Sequence, residues 1–498
     1  MSDINQPIPE PDVTAQSPIS EHWVWAGTHR PPVPRRLVEY MTSNWAPDEP
    51  SDEVHPANAF SASRRRRVSE HFAGKTLVIP TGPQKIRSND TEYRFRPGTE
   101  FFYLTGCDEP DAVLVMAPSA AGPRSTLYIP QRRNQLTHDF FTDARYGELW
   151  VGRRRGPDEA KVYFDIDTAP LEYLEKDLAS LSATDVVTLR GFDEKADALI
   201  EPNEQDELLR TTLSELRLVK DQFEVAQLQL AIDFTVKGFE DVVRALPDAE
   251  GRGERVIEGV FNLRARVEGN DVGYSTIAAS GSNATVLHWM RNDGAVRSGD
   301  LLLLDAGIEC HNLYTADVTR TMPINGRFSS AQRRIYELVL RAQEAGIAEV
   351  KPGAAFTAPH GAAMKILCEG LHELGIMEED PEYAMRRDRQ LYRRYTLHGT
   401  SHMLGLDVHD CEHARNDLLR GGNLAEGYVL TVEPGLYFQP NDLTVPEQYR
   451  GIGVRIEDDI LVTASGALNL SAALPREPDE VESWMAEIWS RGPAKLGL

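Results

Sequence analysis

Leu301–Thr321 reads LLLLDAGIECHNLYTADVTRT. Four leucines run straight into Asp305, and a second acid, Asp317, follows twelve residues later inside TADVTRT. An apolar run closed by an acid and a glycine predicts a buried strand. The β-branched residues Val318, Thr319 and Thr321 predict a second. Folded as a hairpin with His311 at its apex, the pair sets Asp305 opposite Asp317, because both are equidistant from 311. Cross-strand Cβ atoms lie about 4.5–5.5 Å apart. Two carboxylates that close in an apolar sheet cannot both stay ionised without positive charge between them. A divalent metal meets that need, and two carboxylates leave room for two ions. A pair of strand-end acids facing water fits these two residues equally well, so the decision passes to the rest of the chain.

At 498 residues the chain exceeds one ordinary core, and two or three domains are expected. The net charge of −24 argues against nucleic acid and anionic membrane, which need a basic footprint. Cys107, Cys310, Cys368 and Cys411 are scattered without a CxxC, neither a disulfide framework nor a zinc knuckle, which fits a reducing cytoplasm. No run of eighteen apolar residues predicts a membrane span. MSDINQPIPEPDV lacks the basic and then apolar regions of a secretory signal.

Residues 1–56 are rich in Pro, Ser, Asp and Glu and read as a largely irregular extension, pinned by Trp23, Trp25 and Trp45. An α/β domain is expected over 57–205. Its SASRRRRVSEHF predicts a helix, with Arg64–Arg67 as a solvated face rather than an anion site. KTLVIPTG, DAVLVMAP, STLYIP and DVVTLR predict strands, and Gln135–Ser182 helices separated by loops. From 206 on, EQDELLRTTLSELRLVK continues into a helix with Val225, Leu228, Ile232, Val236 and Phe239 on one face. Helices are expected at 254–266, 330–350 and 356–374, and at DEVESWMAEIW near the end. GYSTIAASGSNATVLHWMRNDG reads as strand, turn, then a strand end carrying His288.

Three further segments carry chemistry. LHGTSHMLGLDVHD places His398, His402 and His409 within twelve residues, punctuated by glycines that discourage a helix; it is not an HExxH site. A lone histidine is usually a satisfied core residue; three in such a stretch suit a ligand plus proton-handling groups. GYVLTVEPGLY puts Glu433 at a strand–turn junction. GVRIEDDILV puts Arg455 and Glu457 on one face of a strand, with apolar residues on the other; a partly buried ion pair and an edge strand with a solvated face both fit this segment alone. Asp305, Asp317, Glu433 and Glu457 together supply four negative charges, which two divalent cations balance. Oxygen ligands with one imidazole favour a hard to borderline metal, manganese first, with cobalt, iron and zinc compatible.

Asp, Asp, His, Glu and Glu in the settings LLLDAG, TADVTRT, HGTSH, TVEPGLY and RIEDD resemble the pita-bread metallopeptidases. HGTSHMLGLDVHD, together with YRFRPGTEFFYLTG in the front domain, resembles aminopeptidase P over roughly 57–470. The resemblance implies an N-terminal α/β domain and a C-terminal pita-bread catalytic domain over 206–498, two similar halves around one curved sheet. It implies that Asp305 holds one metal, His402 and Glu433 the other, and Asp317 and Glu457 both. It implies hydrolysis of an N-terminal Xaa-Pro bond by a metal-bridging hydroxide. In that scheme His288 and His409 contact the reacting peptide, Glu433 shuttles the proton, and His398, Tyr437 and Arg455 line the site, Arg455 orienting Glu457. Partners would be peptides with proline second, in a homodimer or homotetramer. Prolidase shares the metal set, and the front-domain stretch favours aminopeptidase P over it. Methionine aminopeptidase lacks a counterpart of His398. Creatinase-like and non-catalytic pita-bread proteins have lost metal carboxylates, whereas all five ligand positions are filled here.

Overall fold

The computed structural model describes residues 23–24, 33–47, 52–89, 91–120 and 122–492. The expectation of an irregular 1–56 extension falls largely outside them. Of its described part, Trp23–Val24 pairs antiparallel with Val33–Pro34, and the Trp45 ring meets Phe140 edge-on at 5.7 Å.

The chain divides into two compact units. One is built from described residues up to Asn58, Gly74–Phe101 and Cys107–Glu201, the other from Ala59–Ala73, Phe102–Gly106 and Pro202 onward.

The first unit holds a five-stranded sheet. Its strands are β1 (Thr76–Pro80), β2 (Val113–Ala117), β3 (Arg124–Ile129), β4 (Asp167–Pro170) and β5 (Val186–Thr188), in the order β4-β3-β2-β1-β5. Only β3–β4 and β1–β5 are parallel. Strand β4 corrects the reading of 135–182 as helix and loop. DTAP is a short, half-buried edge strand with no alternation to betray it, and its proline is tolerated because the edge needs no donor.

The arginine run also needs correction. SASRRRRVSEHF is helical, within Asn58–His71, but Arg64 and Arg65 are only 3% and 7% exposed. Arg64 lies 2.7 Å from Asp221 and 3.5 Å from Glu224, and Arg65 donates to the Leu104 carbonyl. Four consecutive helical residues span more than one face, so a run of like charges cannot all point to water.

The second unit has five main helices: α1 (Gln222–Ala249), α2 (Glu254–Glu268), α3 (Ser330–Ala348), α4 (Ala358–Glu373) and α5 (Pro478–Ser490). The expected continuity into α1 is broken. A separate helix, Asp206–Leu216, ends first, and Asp221 then caps α1 in a reciprocal box with Glu224.

Two similar halves follow. In the first, β6 (Ile277–Ser280), β7 (Leu301–Ala306) and β8 (Val318–Pro323) form an antiparallel sheet with β7 central. Leu302, Leu304, Ala306, Val318 and Met322 pack on Phe239, Leu246, Ile257, Phe261 and Met485 of the helices. Strand alternation therefore turns Asp305, Thr319 and Thr321 to the opposite face. In the second half, β9 (Val429–Val432), β12 (Asp458–Thr463) and β13 (Gly466–Asn469) form one sheet, and β10 (Gly435–Tyr437) pairs with β11 (Gly453–Arg455). Here α3 and α4 cover Leu436, Val454 and Ile456.

The halves are stitched at the polar face. The Glu457 N–H donates to the Thr319 carbonyl at 3.1 Å, and the Arg455 N–H to Thr321 Oγ1 at 3.1 Å. Behind the seam, Arg320 is 1% exposed. Its guanidinium donates to the carbonyls of Pro475, Thr319, Glu457 and Leu474 and to Asp458 Oδ1.

Candidate functional site

The β7–β8 register pairs Asp305 with Thr319 and Ala306 with Val318. The hairpin therefore centres on Asn312, not His311, and Asp317 falls two places short of the position opposite Asp305. The turn sets this: the Cys310 N–H donates to the Tyr314 carbonyl at 2.9 Å, and Leu313 adopts φ 64. A slip of two keeps parity, so both carboxylates still face one cavity. Gly307 makes the crossing possible, because a Cβ there would lie 1.7 Å from the Ala316 carbonyl oxygen.

Tyr274 joins the two acids. Its hydroxyl lies 2.6 Å from Asp305 Oδ1 and 2.5 Å from Asp317 Oδ1. One hydroxyl carries one proton, so the second contact needs a proton on a carboxylate, or a cation. Asp317, His402 and Glu457 offer donor atoms all within 4.8 Å of one another. His402 Nε2 lies 3.3 Å from Asp317 and 3.5 Å from Glu433. Its Nδ1 faces the Met403 carbonyl at 3.1 Å, the usual anchor for the second nitrogen of a ligating histidine. Thr319 donates to Glu457 Oε2 at 2.6 Å.

Charge explains what this cluster asks for. Burial and the neighbouring carboxylates push Glu457 well above the ordinary range, burial pushes Glu433 up to about 7, and burial also raises Asp305. Burial opposes charge on His402, but the Asp317 contact and the Glu433 charge lift it to about 9. Burial thus pushes Asp305, Glu433 and Glu457 toward their neutral forms, and divalent cations would let them stay charged. The oxygen-rich set with one imidazole fits such ions.

The cavity, about 680 Å³, is lined by His288, Asp305, Asp317, His398, His402, His409, Glu433, Arg455 and Glu457. Tyr437 stands directly behind that lining, 5% exposed. Its hydroxyl meets His398 Nε2 at 2.8 Å and accepts from Arg455 Nη1 at 3.0 Å. Arg455 reaches Asp305 Oδ2 at 2.5 Å and Thr319 Oγ1 at 3.1 Å. Asp305, not Glu457, is thus its carboxylate partner, and β11 ends at Arg455, two residues before Glu457. Burial and the Arg455 charge lower His398 to about 4, and burial and His402 lower His409, whose ring packs edge-on to His402 at 4.4 Å. His288 sits on an exposed turn after β6, not at a strand end.

Sequence reasoning missed Tyr274 and His360. Both line the cavity, and His360 Nδ1 contacts Thr400 Oγ1 at 2.7 Å. Tyr274 lay inside a segment singled out only for His288, and a lone tyrosine 31 residues from an acid carries no spacing signal. His360 opens an apolar helix and offers none either.

The profile of "Metallopeptidase family M24" matches residues 226–464, and that of "Aminopeptidase P, N-terminal domain" residues 61–188. Xaa-Pro aminopeptidase 1 of Streptomyces coelicolor is 52% identical over 488 residues, 97% of this chain and 98% of that protein. The Xaa-Pro aminopeptidase of Escherichia coli is 36% identical over 448 residues, covering 86% and 97%. Among solved structures, E. coli aminopeptidase P with the inhibitor Pro-Leu superposes with TM-score 0.76 at 32% identity, covering 88% of this chain and 100% of that one. The Zn-substituted E. coli enzyme in complex with product gives the same TM-score and identity.

Proposed function

We propose, since this chain belongs to the aminopeptidase P branch of metallopeptidase family M24, that it is a hydrolase removing the first residue from peptides whose second residue is proline. The observation that carries the reading is the gathering of Asp305, Asp317, His402, Glu433 and Glu457 around one cavity. Those five are assigned to two divalent ions, manganese first, from the oxygen-rich donor set. The domain assignment is 57–205 for the N-terminal domain and 206–498 for the catalytic one.

Bound there, two divalent cations supply water with a lowered pKa and a polarised carbonyl. The protein's own groups do the rest. Glu433 takes the proton of the attacking water and passes it to the leaving proline nitrogen. His288 and His409 hold the peptide oxygen as negative charge develops on it. Arg455 fixes Asp305, and Thr319 fixes Glu457, so the carboxylates need not reorganise during the reaction. His398, steadied by Tyr437, lies beside Glu433 at 3.6 Å and keeps that wall polar next to the proline.

Four buried cysteines outside any disulfide support a reducing, cytoplasmic setting, and the oligomer is assigned as a homodimer or homotetramer. The deciding experiment strips metal, restores manganese, and compares Xaa-Pro dipeptides with Xaa-Pro-Yaa tripeptides, free and N-acetylated. Manganese-dependent release of the first residue from free tripeptides is expected. Cleavage confined to dipeptides would make it a prolidase, and full activity without metal would overturn the reading.

A further inference from the structure

Glu254 opens helix α2 and is fully buried, 0% exposed. Among the described residues it has no ion-pair partner. Its carboxylate instead accepts four neutral hydrogen bonds. Oε1 accepts from the Ser280 N–H at 2.7 Å and Asn283 Nδ2 at 2.9 Å. Oε2 accepts from Trp289 Nε1 at 2.7 Å and the Gly294 N–H at 2.7 Å. All four donors belong to one segment, 280–294, which runs from the last residue of β6 toward β7 and carries His288 at its exposed turn. The backbone repays the contact, since the Glu254 N–H donates to the Gly294 carbonyl at 3.0 Å. Gly294 permits the approach, because a Cβ there would lie 2.7 Å from Glu254 Oε2.

A buried carboxylate without a cation is costly unless its lone pairs are filled. Here four N–H donors and the positive end of α2 fill that role. The same bonds tie the start, the middle and the end of the segment to one point. Trp289 is the neighbour of His288, so its tether restrains the imidazole's own backbone. An exposed turn without such ties samples many positions.

We propose that Glu254 is a positioning residue for the peptidase reaction, holding segment 280–294 so that His288 faces the cavity. The inference rests on the role assigned to His288 above. Glu254→Gln tests it with little change of shape. With its NH2 at the Oε2 position the amide meets the N–H groups of Trp289 and Gly294; at the Oε1 position it meets the Ser280 N–H, while Asn283 can turn its own amide to accept, so one or two of the four bonds are lost.

The experiment measures kcat/KM on an Xaa-Pro-Yaa peptide for E254Q, H288A and the double variant in the metal-loaded enzyme. Hydrogen exchange over 280–294 and metal content are measured alongside. E254Q is expected to exchange faster in that segment, keep its metal, and lose about tenfold or more in kcat/KM. The double variant should match H288A within about twofold, because the two losses are one loss. Trp289→Phe, which removes a single donor, should fall between wild type and E254Q, and it carries the test if E254Q does not fold. Wild-type turnover in E254Q and W289F with H288A impaired would overturn the inference, as would losses that multiply in the double variant. Wild-type turnover in H288A would instead overturn the role of His288, and this inference with it.

Discussion

Arg455 and Asp305, 150 residues apart in the chain, meet across the seam between the two halves at 2.5 Å. The same guanidinium donates to Tyr437 and Thr319, so three elements are fixed by one planar fork. Lysine cannot span those three acceptors. Arg455→Lys is expected to cut kcat by about 10–100-fold and weaken metal binding, as loss of an outer partner does. Steady-state kinetics and metal titration check both.

Asp317 touches Tyr274 and His402 and shares a donor cluster with His402 and Glu457 whose atoms lie within 4.8 Å of one another. Asp317→Asn removes its charge while keeping its shape. Loss of at least one metal per chain and near-complete loss of peptidase activity are expected, with unchanged circular dichroism. Elemental analysis of the purified variant, with turnover, decides; normal turnover would contradict the ligand assignment.

Gly307 crosses the Ala316 carbonyl too closely for any side chain. In Gly307→Ala the hairpin must open, pulling Asp305 and Asp317 apart. The expected result is a loss of about 1–3 kcal/mol in stability from overpacking, together with weakened metal binding. Urea unfolding and metal titration read the two effects.

Arg320 and Asp458 form a fully buried pair at 2.7 Å. Arg320→Met leaves the Asp458 charge with less compensation and strands several carbonyls. A cost of about 3–5 kcal/mol is expected from breaking such a pair on one side. Denaturant midpoints of R320M against wild type measure it.

Asp410 is buried between Arg217, at 3.0 Å, and Lys220, at 2.8 Å, with Cys411 and Glu224 nearby. Burial alone would raise its pKa, but Lys220 and Arg217 outweigh that and hold it down to about 2. A folded-state pKa below the unfolded value, about 3.9, means stability present above pH 4 and lost as pH falls toward 2. The contribution is on the order of 2 kcal/mol. Asp410→Asn should be less stable at pH 7 and should show a shallower fall in stability between pH 4 and 2. Equal slopes in the two proteins would contradict it.

Periodicity made much of the fold legible. The leucine run of β7 is buried on both faces, and the α1 face of Leu228, Ile232 and Phe239 is buried as its spacing implies. Edge strand β4 was not legible, because a four-residue half-buried strand has no period. The break at 217–221 did carry a signal that sequence reasoning missed, the capping-box spacing of Asp221 and Glu224 at the head of α1. The arginine run misled for a related reason: sequence shows charge but not the acids that face it.

The candidate site divides the same way. Its residue types, their order and the strand ends that carry them are properties of the sequence, because each is fixed by neighbours within a few positions. The rest belongs to the tertiary structure. The register of Asp305 against Thr319, the choice of Asp305 over Glu457 by Arg455, and the entry of Tyr274, His360 and Glu254 all depend on contacts between distant segments. Such contacts are set by how a turn closes and how two halves dock, and no local pattern of residues encodes that distance.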